Sequence, residues 1–405
     1  MSDVKSSNNR ILHIIPYGNL FPPKNGGQLR CFHLMDELSK YYKLDVLCYQ
    51  SPRTFHENGY NNENIKFYSP NSYVKSEGIF KYFPSKIKNA LRFRLLTKTL
   101  FQSATLEVLE FSHIIKALSK FNNYKIVVFE HLTAMSLAPI VKKYLPYAKL
   151  VLDAHNVDHL LISPDYISHK QIKKIESELY KYVDEFWACS QNDVSILEYL
   201  NHGKIHGSIV PNGVSIMDKP YIEDKDSTYS TILFCGTLDA LPNKEGILWF
   251  YKEIWPLIIK TRPDAKLLVI GKGNRKPFAA FESDPTVDFV GEVDDVNPYY
   301  KESFIAIVPL LSGSGTRLKV LEAMSLGNPL ITTSKGIEGI EFESGTHALV
   351  ADKSEAFASS IIAILTNPEK GEVLRSNAYK LVVKKYNWST IVHNLVHKYN
   401  LVKNK

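Results

Sequence analysis

Short continuous apolar runs alternate along the chain with stretches in which apolar residues recur at helical spacing. In the first half the runs are Ile11–Ile15, Leu44–Tyr49, Ile126–Phe129, Leu150–Leu152, Phe186–Ala188 and Ser208–Val210. Most are apolar at consecutive positions, the pattern of strands covered on both faces. Between them Gln28–Tyr41, Gln171–Val183 and Gln191–Leu200 read as helices; the first has Leu29, Phe32, Leu34, Met35 and Leu38 near helical spacing. The second half repeats the scheme with strand-like Thr231–Cys235, Lys266–Ile270, Val287–Val290, Phe304–Val308 and Pro329–Thr332. Its helices are Lys244–Lys260, Asp295–Lys301, Thr316–Leu326 and Lys353–Leu365, and Ser376–Val402 reads as one more. This alternation predicts an α/β protein with two doubly wound, Rossmann-like parallel sheets. Ligands of such sheets bind beyond the carboxyl ends of the strands, so two of them imply a cleft between domains.

Composition narrows the class. The 405 residues suit two or three domains, and 44% hydrophobic content excludes disorder as the main state. No run reaches the ~18 apolar residues of a spanning helix. The opening MSDVKSSNNR lacks the apolar core of a secretory signal. Cys31, Cys48, Cys189 and Cys235 show no CxxC spacing, which argues against a disulfide framework or a cysteine zinc site. The expectation is a reduced, cytoplasmic protein. A net charge of +7 suits an anionic small molecule, an anionic membrane or nucleic acid, and equally a lysine-rich solvated surface. The turn-rich, charged stretch from Pro211 to Ser230 marks the boundary between the halves.

Four segments carry candidate chemistry. LSGSGTRLKVLEAMSLGNP at Leu311–Pro329 runs from a strand through a glycine loop into a helix. The free N–H groups at its start, around Gly315 to Arg317, suit a phosphate; Arg317 adds a bidentate contact and Lys319 a second charge. Glu322, past the first turn, can accept two hydroxyl hydrogen bonds, as from a ribose. A strand–turn–helix capped by Ser314, with Glu322 on the surface, would account for the same letters. PPKNGGQLR at Pro22–Arg30 places Gly26 and Gly27 between a strand and a helix, without the GxGxxG of a dinucleotide oxidoreductase. DAHNVD at Asp153–Asp158 sets His155 at a strand's carboxyl end, where an imidazole can hydrogen-bond a ligand or serve structure alone. His131 is a weaker case, and no HxxxH or HExxH spacing suggests a metal. The stretch Tyr73–Phe101 is basic and aromatic, with Lys86, Lys88, Arg92 and Arg94 among its cations. It suits an anionic membrane or a solvated helix face, and no nucleic-acid-binding motif accompanies it.

Together these segments resemble the retaining glycosyltransferases of GT-B fold, in the large family 4, nearest the bacterial cell-surface polysaccharide subgroup. The likeness covers nearly the whole chain. It rests on PPKNGGQLR, DAHNVD, VDEFWACSQND, IVPNGV, ILFCGTLDALPNKEGILWF, LLVIGKG, VDFVGEVDDVNPYY, VPLLSGSGTRLKVLEAMSLGNPLITT and HALVADKSEAFA in that order. It implies an acceptor domain over residues 1–211, a linker over 212–230 and a nucleotide-sugar domain over 231–383. It also implies a helix over 384–405 that returns to the first domain. Glu322 then binds ribose. Ser314, Gly315, Thr316, Arg317 and Lys319, with Gly26 and Gly27, hold the donor diphosphate. Gly271, Lys272, Gly273, Glu292 and Val293 border the base, and His155 contacts the donor sugar beside the reacting carbon. The implied reaction moves a sugar from a nucleoside-diphosphate donor to a carbohydrate or lipid-linked acceptor hydroxyl, without a metal or other cofactor, with the donor phosphate taking the acceptor's proton.

Two positions depart from the family pattern. Ser314 stands where the first of two glutamates is usual. Thr237, with Asn243 or Lys244, stands where an Arg and a Lys usually neutralise the diphosphate. A leaving diphosphate needs positive charge or aimed N–H groups, for which Arg317 and Lys319 are candidates. The departures keep a degenerate nucleotide-sugar-binding scaffold open, beside a sugar-nucleotide epimerase and a surface-binding protein acting through Tyr73–Phe101.

Overall fold

A computed structural model describes residues 10–15, 19–70, 105–216, 230–313 and 315–401. Lys86, Lys88, Arg92 and Arg94, most of the expected linker, and Ser314 lie outside the described residues. The chain divides into unit 1, Met1–Val210 with Val392–Lys405, and unit 2, Pro211–Ile391.

Unit 1 is built on seven parallel strands: β1 (Arg10–Ile14), β2 (Lys43–Leu47), β3 (Ile65–Tyr68), β4 (Ile126–Glu130), β5 (Lys149–Ala154), β6 (Glu185–Ala188) and β7 (Gly207–Ile209). Their order is β3-β2-β1-β4-β5-β6-β7. Every β4 residue is buried, the apolar Ile126–Phe129 and the closing Glu130 alike. Leu12, Val127, Phe129, Leu150 and Leu152 of the sheet pack with Ile114, Ile115, Ile140 and Val141 into one core.

Unit 2 repeats the plan with six strands: β8 (Thr231–Cys235), β9 (Lys266–Ile270), β10 (Val287–Gly291), β11 (Ile305–Val308), β12 (Leu330–Thr332) and β13 (Leu349–Val350). Their order is β10-β9-β8-β11-β12-β13, again all parallel. Both sheets are thus doubly wound and Rossmann-like. The strand order switches between β1 and β4 in unit 1 and between β8 and β11 in unit 2, and such switch points leave a crevice at the strands' carboxyl ends.

The pattern missed β3 and β13. Each is a short edge strand, half covered, so neither shows the continuous apolar run of a central strand. The single helix expected over Ser376–Val402 is interrupted. A helix Pro368–Leu381 widens into a π turn at Val382–Tyr386, Asn387 is extended with φ −75° and ψ 129°, and a new helix runs from Trp388 to Leu401. Asn387 bridges Val214, and Val214 N–H donates to the Tyr386 carbonyl at 2.8 Å. That pairing overrides the helical spacing of the surrounding letters. No described helix is long and apolar enough to cross a membrane.

Candidate functional site

In unit 2 the loops after β8, β9 and β10 are stitched together at the carboxyl edge. Gly236 N–H donates to Ile270 O at 2.9 Å, Gly271 N–H to Gly291 O at 2.8 Å, and Leu238 N–H to Lys272 O at 2.8 Å. Gly271 has φ +156°, and a Cβ there would run into the Gly236 carbonyl. Gly273 lies in the same turn, beside Asp239. Lys272 and Glu292 are exposed, whereas Val293 is half-buried and packs on the core beside β8 and β11.

The helix after β11 begins later than its letters suggest. It spans Leu318–Ser325, and Arg317 occupies the N-cap without capping through its side chain. The free N–H groups therefore start at Leu318 and not at Gly315. Lys319 is half-buried in the first turn, its ammonium 2.7 Å from Asn243 Oδ1 and 4.9 Å from the centre of the Phe234 ring. Asn243 Nδ2 in turn donates to the Thr237 carbonyl at 2.8 Å, while Lys244 follows it on the helix Leu241–Trp249. A Cβ on Gly236 would collide with the Lys319 ammonium, so glycine at the end of β8 makes room for that charge. The structure thus joins Thr237, Asn243 and Lys319, which sequence reasoning left unconnected.

Burial depresses the Lys319 ammonium to about 8, against the pull of Cys235 and Glu322. Glu322 is half-buried on the second turn; burial raises its carboxyl, and Lys319 works against the rise. Arg317 is held down by burial too, and its Nη2 lies 3.4 Å from Ser312 O. Thr316 Oγ1 is buried and has no hydrogen-bond partner among the described residues. An unmatched hydroxyl, a desolvated ammonium and free helix N–H groups in one place each gain from an anion.

In unit 1 the helix Gly26–Leu38 opens at the carboxyl side of β1. Asn25 Oδ1 accepts from Gln28 N–H at 3.0 Å and Gln28 Oε1 from Lys24 N–H at 2.7 Å, a reciprocal cap that fixes where Gly26 and Gly27 sit. One turn on, Arg30 and Cys31 are buried against the ends of β4 and β5. Arg30 clasps Asp153 with Nε to Oδ2 at 2.8 Å and Nη2 to Oδ1 at 2.6 Å. Burial opposes the guanidinium charge, but Asp153 outweighs it and keeps the pKa above its ordinary value.

His155 follows Asp153 and is 7% exposed. Its Nε2 lies 2.7 Å from Glu130 Oε2, 3.7 Å from Asp153 Oδ2 and 3.8 Å from Cys31 Sγ. Glu130 closes β4, and its other oxygen bonds His13 Nε2 of β1. The Cys31 thiol donates to Glu130 Oε2 at 3.2 Å. Burial alone would raise the Glu130 carboxyl, but His13 and then His155 hold it well below the usual range. Burial pushes the Cys31 thiol well above its own. Cys31, Glu130 and His155 offer ligand-type atoms within 4.8 Å of one another. The thiol retains its proton there, so they read as a proton-sharing network. His131, with φ +67°, packs edge-on to His155 at 5.8 Å between ring centres and pairs with Asp158 at 3.3 Å. Sequence reasoning singled out His155 but missed His13, Arg30, Cys31, Glu130 and Asp153. The readable signal was a carboxylate ending an otherwise apolar run, in IVVFE and again in LVLDA.

Residues 229–367 match the family model of glycosyl transferases group 1. An uncharacterised 44.6 kDa protein of the cps region of Klebsiella pneumoniae is 27% identical over 44% of this chain and 48% of its own length. A phosphatidyl-myo-inositol mannosyltransferase of Propionibacterium freudenreichii is 22% identical over 59% of this chain and 62% of its length. The chain spans about half the length of the curated relatives it matches first. Among solved structures, Anabaena HepE in complex with UDP and glucose superposes with TM-score 0.67 at 12% identity, covering 97% of this chain and 100% of that one. The two Rossmann-like units have the GT-B fold of the glycosyltransferase structures they superpose on, and unit 2 carries the stretch that matches glycosyl transferases group 1.

Proposed function

We propose that this chain is a retaining glycosyltransferase of the family 4 type. It transfers a hexosyl group from a nucleoside-diphosphate sugar to a hydroxyl of a carbohydrate or lipid-linked acceptor, in the synthesis of a bacterial cell-surface polysaccharide or glycolipid. The observation that carries the reading is the set at the start of the Leu318–Ser325 helix. There Thr316 Oγ1 lacks a partner, Lys319 is desolvated and Glu322 lies one turn on, within the stretch matching glycosyl transferases group 1. In this reading Lys319, Arg317 and the helix N–H groups stabilise the diphosphate as it leaves, doing without a metal ion. Glu322 takes the ribose hydroxyls; Gly271–Gly273 and Glu292–Val293 border the base. His155 meets the donor sugar, and Gly26 and Gly27 approach the phosphate. The donor phosphate takes the acceptor's proton in a front-face displacement. The cps-region relative supports the polysaccharide setting, and the UDP and glucose of HepE support the class of donor. The place of action is the cytoplasmic side of the membrane, with Lys86, Lys88, Arg92 and Arg94 as the candidate peripheral contacts.

The test is thermal-shift binding of UDP, GDP, ADP, CMP and dTDP to the wild type and to Glu322→Ala. A ligand at 100 times its dissociation constant stabilises a fold by about 2.7 kcal/mol, a readable shift. One nucleotide is expected to shift the wild type and not the variant, after which its sugars are tried for transfer and the anomeric configuration of the product is read. Binding of none sinks the donor-site reading, and an inverted product sinks retention.

A further inference from the structure

We infer that Glu130 is a positioning residue: it pins the imidazole proton of His155 on Nε2, so that Nδ1 is the nitrogen His155 offers to a substrate hydroxyl. The inference rests on the proposed glycosyl-transfer reading for what the substrate is, though not for the state of the ring.

An ionised carboxylate only accepts hydrogen bonds. Glu130 stays ionised although fully buried, and Oε2 lies 2.7 Å from His155 Nε2. That nitrogen must therefore carry a proton. Tautomer choice in histidine is set by the bond the other nitrogen makes. Here the bond is made inside the protein, and among the described residues no hydrogen bond engages His155 Nδ1. A half-turn of the imidazole would put the Cε1 carbon where Nε2 now sits and forfeit the bond to Glu130, so the carboxylate fixes the orientation of the ring as well as its proton. His131 packs edge-on to the same ring. Glu130 itself is held from both directions, by His13 at Oε1 and by His155 and Cys31 at Oε2. Every oxygen of the carboxylate is thus spent on orienting side chains, and none is available to a ligand. Nδ1 is then the ring nitrogen left to meet a sugar hydroxyl, a group that can both donate and accept a hydrogen bond.

The experiment labels the histidines of the full chain with 15N and reads the imidazole nitrogens by long-range 1H–15N correlation, with His155→Asn assigning the ring. His155 is expected to show a protonated Nε2 across pH 6–8. In Glu130→Leu that preference is expected to vanish, kcat to fall at least tenfold, and nucleotide affinity to stay within twofold, because Lys319 and Glu322 lie in unit 2. Glu130→Gln preserves shape but offers one acceptor oxygen to two rings, so His13 or His155 must switch tautomer; this variant decides the question if the leucine variant does not fold. An unprotonated Nε2 on His155 in the wild type overturns the inference, as do unchanged ring spectra of both histidines in Glu130→Gln. So does one equivalent of zinc in the purified protein that leaves when Cys31 is replaced by Ser. If the wild type transfers no sugar from any donor, the functional reading fails separately. The ring spectra alone then decide the role of Glu130.

Discussion

At the scale of single residues, the sharpest expectation belongs to Lys319. Its ammonium is pushed down to about 8 by burial, from an ordinary 10.5. An anion prefers the protonated form, so bound diphosphate raises that pKa again and binding takes up a proton. Affinity should therefore be flat below the ligand-free pKa and weaken above it, by about tenfold at pH 9. In Lys319→Met the affinity should be lower throughout and the slope absent. Titrations of the nucleoside diphosphate between pH 7.5 and 9 check both; a wild-type dissociation constant independent of pH over that range removes the ammonium from the site. In the free protein the linkage has the opposite sense: the unfolded chain keeps its proton up to about 10.5, so this residue makes the fold more stable as pH rises from 8. The sequence made Arg317, Lys319 and Glu322 legible because they are neighbours on one glycine-led helix. It did not show that Asn243 meets Lys319, 76 residues on, or that His13 meets Glu130 across 117. Pairs of that separation are made by sheet order, which no local spacing encodes.

At the scale of elements, the bidentate Arg30–Asp153 pair fastens the helix Gly26–Leu38 to the end of β5. Both side chains are buried, so removing one leaves the other charged without a partner. Asp153→Ala is expected to cost about 3–5 kcal/mol, more than a surface ion pair of the same geometry. Urea unfolding followed through the unit 1 tryptophan, Trp187, measures it, and a loss below about 1 kcal/mol would mean the guanidinium finds water or another carboxylate. The elements themselves were mostly readable. Central strands announce themselves by continuous apolar letters, and Thr231–Cys235 and Lys266–Ile270 fall where those letters put them. Edge strands such as Ile65–Tyr68 show half the signal. The break at Asn387 was invisible because its cause is a bridge to Val214, far off in the chain. The helix at Leu318 starts after Gly315, whose φ of +81° lies in the left-handed region and outside a right-handed helix.

At the scale of the whole molecule, the chain leaves unit 1 after Val210, builds unit 2, and contributes its last segment, Val392–Lys405, to unit 1 again. What holds that segment is specific. Trp187 of β6, 1% exposed, donates its indole N–H to Tyr399 OH at 2.8 Å. Lys149 stacks its ammonium 4.9 Å from the Tyr399 ring centre, and Lys398 bonds Ser208 and reaches Glu185 at 3.6 Å. Tyr399→Phe keeps the ring, and with it the cation–π contact, but leaves the buried indole N–H without an acceptor. That should cost about 1–3 kcal/mol of unit 1 stability. Tyr399→Ala removes the packing as well and should cost more. Because the proposed nucleotide contacts Lys319 and Glu322 lie in unit 2, with its own core, and Gly26 and Gly27 are untouched by either change, neither variant should alter the affinity for a nucleoside diphosphate. The two readings are made on one sample: unfolding followed by Trp187 fluorescence, and nucleotide titration well below the melting point. A loss of nucleotide affinity in Tyr399→Phe would mean that the terminal helix transmits strain into unit 2. A destabilised unit 1 with unchanged affinity would mean that the returning segment is a fastening of the first unit alone, and that nucleotide binding is a property of the second.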